Sequence, residues 1–426
     1  MNALTSLAVR NVARNPRRSL VTLGSVLLGV TAMLVLEGFI GGFLRLIVDD
    51  IVLGKTGALQ IHTVGYMAQG DALPLTPSIP YDPALLARIR AVPGVTGVTG
   101  RIQFSGLVSN GLSQTMFVGR GLDLATEARA IPRAGFDVLP GGRMLLEGDH
   151  ARALLGGELA RAFHAVPASE RERARTAGGE GADALVDRVT LASSSPLGRA
   201  NSLDVAVEGL SVSGLPHENK SVVTVPLSLA QELLGLKGQV TELAVAVDDL
   251  SHLDRIATSL RVLLGPGYEV HTWTQLQPYV NDTLYKMRFV MGLIGLILFV
   301  IILTGILNAT WMSVFERVRE IGTLLAVGMR RRQVLTMFLL EASLLGVIGG
   351  GGGVLLGSSL VRLLAREGIP MEMILHTGAT SLLRPELHPL FALLTLVVAV
   401  VGALGAAAWP AWRASRLCPV EALRSA

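Results

Sequence analysis

Four long apolar stretches, one before and three after a polar block, constrain the fold of this chain more than any other feature. They run from about Leu20 to Ile40, Phe289 to Val314, Val334 to Leu364 and Leu387 to Trp409. Each has at least the ~20 residues that a helix needs to cross ~30 Å of hydrocarbon at ~1.5 Å per residue. The sequence therefore predicts a membrane protein with four transmembrane helices.

Arginines at the ends of these stretches predict the orientation of the chain, because cytoplasmic segments of membrane proteins carry an excess of Lys and Arg. Both termini and the loop between the second and third stretches should therefore be cytoplasmic. The block from about 48 to 285 and a loop from about 366 to 386 should lie on the outer face. The arginines concerned are Arg10, Arg14, Arg17, Arg18, Arg317, Arg319, Arg330, Arg331, Arg332, Arg413, Arg416 and Arg424.

Composition agrees with a chain that is part membrane protein and part soluble domain, since 50% of the residues are hydrophobic and 16% are charged. The net charge of +4 would suggest nucleic acid in a soluble protein. Here the arginines cluster at helix ends, where they meet anionic lipid headgroups, so we expect no nucleic-acid partner. The one cysteine, Cys418, lies in the cytoplasmic tail, so the outer domain should fold without a disulfide.

The first apolar stretch should remain as an uncleaved anchor, because it starts late, is long and lacks a small-residue cleavage pattern. Before it, Leu4, Leu7, Ala8 and Val12 recur at helical spacing. This spacing predicts an amphipathic helix on the inner membrane surface, with Pro16 at the corner into the span. The alternative is a positively charged leader that only sets topology.

The outer block has the patterns of a mixed α and β domain, with alternating or β-branched strands and helical segments between them. The fold class predicted is an α-helical membrane protein with four transmembrane helices and a large α+β extracytoplasmic domain inserted between helices 1 and 2. A charged stretch from Pro167 to Asp187 has few large apolar residues and predicts a solvated surface excursion or mobile loop. The predicted strands are Ala58 to His62, Val95 to Ile102, Val205 to Val212, Val222 to Val225 and Leu243 to Val247, and the predicted helices are Pro83 to Val92, Leu227 to Leu236 and Ser251 to Leu264.

The expected organisation has two helices that extend beyond the membrane as stalks. In chain order the segments are an N-terminal amphipathic helix (1–18), the first transmembrane helix and stalk (19–47), the outer α+β domain (48–272), a stalk and second transmembrane helix (273–315), an inner coupling helix (316–332), the third transmembrane helix (333–365), a short outer loop (366–386), the fourth transmembrane helix (387–410) and a cytoplasmic tail (411–426).

No catalytic or metal-binding pattern is found in the sequence. The eight histidines are scattered, and neither an HExxH nor a CxxC spacing occurs. Gly54-Lys55-Thr56 resembles the end of a phosphate-binding loop, but Asp49 stands where such a loop needs its first glycine. We therefore expect a non-catalytic protein that binds no metal or nucleotide of its own.

Small residues within the spans predict close helix packing, because pairs four residues apart let a second helix approach at backbone distance. The residues are Ser25, Gly29, Gly346, Gly349, Gly350, Gly353 and Gly357. The alternative is a flexible or broken helix. Two acids, Glu37 and Glu341, also lie within spans, and a hydrogen bond to a neighbouring helix is favoured over proton transport.

The inner loop between the second and third spans has the most specific pattern. It predicts a short amphipathic helix at the inner face, with Ile321, Leu324 and Leu325 on one side and charges at both ends. Such an element suits docking on a cytoplasmic partner. The loop and its continuation read Arg317-Val318-Arg319-Glu320-Ile321-Gly322, then Ala326-Val327-Gly328, then Phe338-Leu339-Leu340-Glu341-Ala342 before a glycine-rich helix.

These motifs resemble the permease family that includes lipoprotein-releasing and macrolide-exporter-type ABC transporters; the related cell-division permease shares the four-span plan. Further similarity lies in Ala8-Val9-Arg10-Asn11, in Gly57 to His62 and in the closing Pro419 to Arg424, so it extends over nearly the whole chain. The Gly57 to His62 strand and Gly65-Tyr66 are most similar to the lipoprotein-releasing branch.

The resemblance implies mechanotransmission, in which a separate ATPase pair binds the inner loops and its closure is relayed through the stalks to the outer domains. It implies that Glu316 to Gly322 form the coupling helix and that Arg330 to Arg332 flank it. The ATPase-coupling residues would be Glu316, Arg317, Arg319, Glu320, Ile321, Gly322, Leu324, Arg330 and Arg331.

Partners and location follow from the same resemblance. The chain would lie in the bacterial inner membrane with an ABC ATPase dimer, a second identical or paralogous permease, membrane lipids and a periplasmic lipoprotein carrier or adaptor. ATP and Mg would be bound by the partner ATPase, with no cofactor in this chain. Three functions stay open: extraction or release of lipoprotein or lipid, efflux of small molecules or peptides, and control of a periplasmic cell-wall hydrolase.

Overall fold

The computed structural model describes residues 16–132, 137–176, 184–213, 216–370 and 382–416. The chain divides into two compact units. The membrane unit comprises Met1–Arg45, Asp282–Ile369 and Leu382–Ala426, and the sheet unit comprises Leu46–Asn281 and Pro370–Ser381. The predicted amphipathic helix before Pro16 and the end of the tail after Arg416 lie outside the described residues.

The α-helices and β-strands follow in chain order. The helices are α1 (Pro16–Ile51), α2 (Pro83–Arg90), α3 (Leu124–Ala130), α4 (Gly157–Ala162), α5 (Ala168–Thr176), α6 (Pro216–Ser221), α7 (Leu227–Leu234), α8 (Leu253–Leu264), α9 (Trp273–Leu276), α10 (Pro278–Glu316), α11 (Val318–Ala326), α12 (Arg331–Glu367) and α13 (Pro389–Ser415). The strands are β1 (Leu59–Thr63), β2 (Ile79–Pro80), β3 (Val95–Ser109), β4 (Gln114–Leu122), β5 (Asp137–Val138), β6 (Arg152–Gly156), β7 (Arg188–Ser194), β8 (Ala200–Val212), β9 (Val222–Pro226), β10 (Gln239–Val240), β11 (Glu242–Val247), β12 (Tyr268–Thr272), β13 (Ile369–Pro370) and β14 (Leu382–Leu383).

Four segments in the described part of the chain are long and apolar enough to cross a membrane. They are Ser19–Thr56, Pro278–Glu316, Arg331–Glu367 and Pro389–Ser415. The first begins within α1, whose described part runs from Pro16 to Ile51. The predicted class of a four-span membrane protein with an α+β domain between its first two spans is confirmed.

Two apolar clusters form the core of the membrane unit. The first joins α1, α10 and α13 through Val26, Val30, Leu34, Ile302, Ile306, Ala399 and Ala403. The second joins α10, α11, α12 and α13 through Val314, Ile321, Val334, Met337, Phe338, Ala411 and Ala414. The short helix α11 is therefore an integral part of this unit and packs against all of its neighbours there.

A mixed ten-stranded sheet organises the sheet unit. Its order is β12-β1-β11-β3-β4-β9-β6-β8-β5, and β7 pairs with both β3 and β8. The pairs β4 with β9 and β6 with β8 are parallel, whereas β1 is antiparallel to both its neighbours. All five predicted strands and all three predicted helices of this block are present, with β3 and β8 longer than expected.

The stretch from Pro167 to Asp187 was expected to be a solvated surface excursion or mobile loop, and its described part contains the surface helix α5. Ala, Glu and Arg are strong helix formers, which explains the helix without any apolar core. No residue of α5 is buried; Arg171 forms an ion pair with Asp187, and the Ser169 hydroxyl donates a hydrogen bond to the Gly141 oxygen.

Candidate functional site

The inner turn between α10 and α12 contains the helix α11 and is bounded by two specific residues. Arg317 precedes α11 as its N-cap, with φ −114° and ψ 15°. After α11, Gly328 has a φ of +102°, a backbone conformation that glycine adopts at little cost and that ends the helix. The predicted coupling helix from Glu316 thus begins later than expected: Glu316 is the last residue of α10, because the chain breaks its helical path at Arg317.

The two faces of α11 differ in burial. Ile321 and Gly322 are buried and Leu325 is partly buried against the second membrane-unit cluster, whereas Leu324 is 37% and Val327 84% exposed. Leu324 was predicted to share a face with Ile321 and Leu325. Successive residues turn by about 100°, so Leu324 lies about 60° from Ile321 around the helix axis. Because Ile321 and Gly322 are both buried, Leu324 lies at the exposed edge of that face.

A buried ion pair links the start of α11 to α12. Nη1 of Arg317 lies 3.5 Å from Oε2 of Glu341, and the two side chains are 7% and 8% exposed. The pair unites the first residue of the Arg-x-Arg-Glu-Ile-Gly motif with the acid of the Phe-Leu-x-Glu-Ala motif. A lone buried charge is costly, so each of these groups needs the other to stay in place.

The remaining predicted coupling residues surround this pair. Arg319 is exposed and Glu320 is half-buried on α11. Arg330 begins α12 with a capping box: its backbone N–H donates to Gln333 Oε1 at 2.8 Å, and the Gln333 N–H donates back to its oxygen at 2.8 Å. Arg331 is exposed in the first turn of α12. Arg330 and Arg331, both exposed, follow the exposed Val327 within four residues of the chain.

Glycines let α12 approach α1 closely. Cβ atoms added at Gly349 and Gly353 would lie 2.9 Å and 2.7 Å from Cβ of Val26 and Val30, and Gly357 faces Leu34 in the same way. The Thr31 hydroxyl donates to the Gly353 oxygen at 3.2 Å, so backbone and side chain meet across the two helices. α12 is continuous through its glycine run.

The other small residues pack against α10 and α13. Cβ atoms at Gly346 and Gly350 would lie 3.1 Å from Ala403 Cβ and 3.0 Å from Leu396 Cδ1 of α13. A Cβ at Gly29 would collide with Ile302 of α10, and Ser25 faces Gly305 there. α12 thus packs against α1 on one side and α13 on another, and α1 packs against both α12 and α10.

Glu37, the other acid predicted within a span, is half-buried on α1. Within the described ranges no hydrogen bond or ion pair of its carboxylate is found. The structure therefore does not bring Glu37 together with Glu341 or with the coupling residues.

In the sheet unit, buried charges form a network that the sequence did not reveal. Arg101 on β3 pairs with Glu127 of α3 and donates to the Lys55 oxygen, and its Nη1 lies 3.9 Å from Oε1 of Glu242. Burial disfavours the cation, yet Glu127 keeps the pKa of Arg101 above its usual range. Burial also raises the pKa of Glu242, more than Arg101 lowers it. The only sequence signal was a charge inside a predicted strand.

A second buried network holds the short π-helix Val52–Thr56 that follows α1. Lys55 Nζ lies 3.5 Å and Arg120 Nη2 lies 2.7 Å from the carboxylate oxygens of Glu218, which also accepts from the Ser213 hydroxyl. Burial opposes ionisation, but Arg120 and Lys55 outweigh it and lower the pKa of Glu218 to about 2. Lys55 is thus part of an ion-pair network with Glu218 and Arg120.

His62 lies in a buried ring cluster at the β1 end of the sheet. Its ring stacks on Tyr66 with centroids 4.4 Å apart and lies 5.9 Å from the His271 ring, and Nε2 is 3.2 Å from Gln60 Oε1. Burial, aided by His271, lowers the pKa of His62 to about 4. At neutral pH the imidazole is therefore uncharged. In the described part of the chain, no group of three or more His, Cys, Asp or Glu could hold a metal ion.

Comparisons with known proteins give the same family as the motifs. Residues 292–419, which cover most of α10 and all of α11, α12 and α13, match the family described as FtsX-like permease C-terminal. A macrolide export ATP-binding/permease protein MacB from Hyphomonas neptunium is 25% identical over 224 residues, 51% of this chain and 33% of that protein. The MacB protein of Wolinella succinogenes is 30% identical over 170 residues, 38% of this chain and 26% of that protein.

The chain thus matches only about a third or less of the length of these relatives. Two solved structures are also similar. The extracellular domain of the noncanonic ABC-type transporter YknZ from Gram-positive bacteria has 15% identity and a TM-score of 0.31, with 50% of this chain and 99% of that one covered. The periplasmic region of MacB from Actinobacillus actinomycetemcomitans has 11% identity and a TM-score of 0.34, with 56% of this chain and 98% of that one covered. The resemblance inferred from the motifs, to ABC transporter permeases of the MacB and FtsX type, is confirmed by the family and sequence matches.

Proposed function

We propose that this chain, a multi-pass membrane protein that resembles ABC-type permeases of the MacB and FtsX type, works by mechanotransmission. In this mechanism an ATPase dimer docks on α11 and its closure moves the spans, which drive the outer domain. ATP and Mg are bound by that partner, and this chain contributes no catalytic group. The protein lies in a bacterial inner membrane with both termini in the cytoplasm and acts with a second copy or a paralogue.

The observation that carries the proposal is the two-sided character of α11. One face is held in the membrane unit by Ile321, whereas Val327 is 84% exposed and Leu324, at the edge of the buried face, is 37% exposed. An ATPase that docks here would cover these apolar side chains, with the exposed Arg330 and Arg331 at the rim of the interface. A coupling helix needs one face that binds the ATPase and one face that is packed against the spans, because movement of the ATPase can reach the spans only through those packed contacts.

A continuous set of contacts supports transmission away from α11. The Arg317–Glu341 pair and the cluster around Ile321 tie α11 to α12 and α10. The glycines of α12 tie it to α1. The helices α1 and α10 are long and unbroken, ending at Ile51 and beginning at Pro278, so each continues in the chain directly into segments of the sheet unit.

Extraction or release of lipoprotein or lipid is the substrate class proposed, on the resemblance of Gly57 to His62 and Gly65-Tyr66 to the lipoprotein-releasing branch. These residues include β1 and the Tyr66 ring that stacks on His62. Efflux of small molecules or peptides is the second candidate, because the relatives named above are described as macrolide export proteins.

A mild-detergent pull-down from the native membrane, with mass spectrometry of proteins and lipids, tests the proposal. An ATP-binding protein together with acylated protein is the expected result. An adaptor and an outer-membrane channel would favour efflux, and a hydrolase would favour control of cell-wall cleavage. Absence of any ATP-binding protein would contradict the transporter assignment.

Variants of α11 test the docking face in the purified complex. Val327→Asp puts a charge on the exposed face, and Glu320→Lys reverses a charge of the motif; both should reduce ATPase stimulation while insertion stays normal. Val262→Asp is the matched control, because Val262 is 81% exposed on α8 of the sheet unit. Equal stimulation in Val327→Asp and Val262→Asp would refute docking at α11.

A further inference from the structure

Three of the four tryptophans of the chain gather at the arginine-rich ends of α10 and α13. Trp311 stacks on Phe315 with centroids 5.4 Å apart and meets the edge of Trp409 at 5.0 Å. Trp412 lies one turn along α13 from Trp409. We call Trp311, Phe315, Trp409, Trp412, Arg413 and Arg416 the indole patch. Its side chains lie on the exposed faces of α10 and α13, whereas Val314, Ala411 and Ala414 of the same helices pack against Ile321 of α11.

Two arginines lie over the indole rings of this patch. The guanidinium carbon of Arg413 is 5.7 Å from the Trp311 ring centroid, and that of Arg416 is 4.2 Å from the Trp412 centroid. Spacings of four residues, Trp409 to Arg413 and Trp412 to Arg416, put each arginine beside a ring on the same side of α13. In the described ranges neither arginine forms an ion pair with a carboxylate.

The rings are exposed even though they are large and apolar. Phe315, Trp409 and Trp412 are 64%, 55% and 45% exposed. Tryptophan at the end of a span favours the membrane–water interface, where the ring meets acyl chain and glycerol while its N–H stays near polar groups. An arginine held on an indole face keeps its planar set of donors available, and that set matches the oxygens of a phosphate.

We propose that the indole patch is a binding site for an anionic phospholipid of the leaflet on the arginine-rich side of the membrane. Arg413 and Arg416 bind the headgroup phosphate, and the exposed rings cover the glycerol and the first part of the acyl chains. Charge complementarity selects the occupant, because Arg413 and Arg416, which form no ion pair within residues 16–416 as far as the structure describes them, face an interface that contains anionic headgroups. This site concerns a resident lipid and depends neither on the partner ATPase nor on the transported substrate.

Tryptophan quenching by brominated lipids tests the site in the full chain. A Trp273→Phe background leaves the three patch tryptophans as the reporters. The protein is reconstituted in phosphatidylcholine vesicles that contain either brominated phosphatidylglycerol or brominated phosphatidylcholine. We expect stronger quenching by the anionic lipid, and the preference should fall about fivefold for each arginine removed, which is the effect of roughly 1 kcal/mol per cation near a membrane surface.

The test variant is Arg413→Gln with Arg416→Gln, and the matched control is Arg331→Gln with Arg332→Gln. The control removes the same charge from exposed positions on α12, at the arginine-rich end of the same unit. The proposal predicts loss of the anionic preference in the first pair only. A preference that survives in the first pair, or falls equally in both, would overturn it. Absence of quenching by either lipid would show that protein covers the patch and would overturn it as well.

Discussion

The pH dependence of the sheet unit should be set by His62 between pH 6.5 and pH 4. The pKa of His62 is lowered from 6.5 to about 4, chiefly by burial and then by His271, while Thr241 and Glu269 act in the opposite direction. The unfolded chain therefore binds a proton in this range that the folded chain does not. Its contribution to stability is present above pH 6.5 and is lost as the pH falls to about 4, with a total of about 3 kcal/mol.

Replacement of the histidine by a ring without a titrating group isolates this effect. His62→Phe keeps a ring on Tyr66 but removes the proton-binding site, so the loss of stability over this range should largely disappear. His252→Phe is the control, because His252 is half-exposed, with a side chain 51% exposed beside Asp249. Other groups near His62 do not mimic the effect: Glu269 has a lowered pKa, chiefly through the Gly65 N–H, and loses its contribution below pH 4.5.

Hydrogen–deuterium exchange of β1 peptides in the detergent-solubilised full chain measures how the stability of this region changes with pH. Labelling times are scaled for the intrinsic exchange rate at each pH, so the remaining change reports the free energy of opening. The opening free energy of the parent and of His252→Phe should fall by about 3 kcal/mol from pH 6.5 to 4. An equal fall in His62→Phe would refute the argument that burial of this imidazole is the cause.

Three further predictions concern packing and ion pairs. Gly353→Ala should destabilise the detergent-solubilised protein by about 1–3 kcal/mol in thermal unfolding, because its Cβ would lie 2.7 Å from Val30 Cβ, whereas Gly351→Ala, with nothing within 4 Å, should not. Glu341→Met should cost about 3–5 kcal/mol by removing the carboxylate that pairs with the buried Arg317, and Arg317→Met with Glu341→Met should recover most of it; a double variant as unstable as the single one would contradict a buried pair. Glu218→Gln should lower the unfolding free energy of the sheet unit by up to about 3 kcal/mol at pH 7, measured by hydrogen–deuterium exchange of β9 peptides. The difference between the variant and the parent should shrink as the pH falls from 4.5 to 2, because the lowered pKa of the Glu218 carboxyl stabilises the fold fully only above that range.

Hydropathy and periodicity predicted the helices and strands whose burial follows from their own local sequence. The spans follow from uninterrupted apolar runs, and α8 follows from helical spacing, since Leu253, Ile256, Ala257 and Leu260 are all buried. The strand β9 follows from a β-branched run that is buried throughout. In each case the environment of a residue is set by neighbours in the same segment, so that the sequence alone contains the information.

Sequence pattern does not predict the environment of a residue that depends on contacts with residues distant in the chain. Gly119 on β4 gives no strand signal, yet it fits there because a Cβ would collide with the Phe104 ring of β3. The partner of Glu341 lies 24 residues away at the end of another helix, and no local spacing identifies it. The burial of α11 depends on how Ile321 packs against α10, α12 and α13, so the spacing alone did not show that Leu324 is more exposed than Ile321.

Site-specific crosslinking at α11 tests the central claim, that an ATPase docks on this helix. Val327→Cys is made in a Cys418→Ser background, so that the chain has a single thiol, and native membranes are treated with a membrane-permeable thiol-to-amine crosslinker. Val262→Cys in the sheet unit is the control. We predict that Val327→Cys forms a product with an ATP-binding protein and that Val262→Cys does not. Products that lack an ATP-binding protein, or that are the same at both positions, would contradict the account.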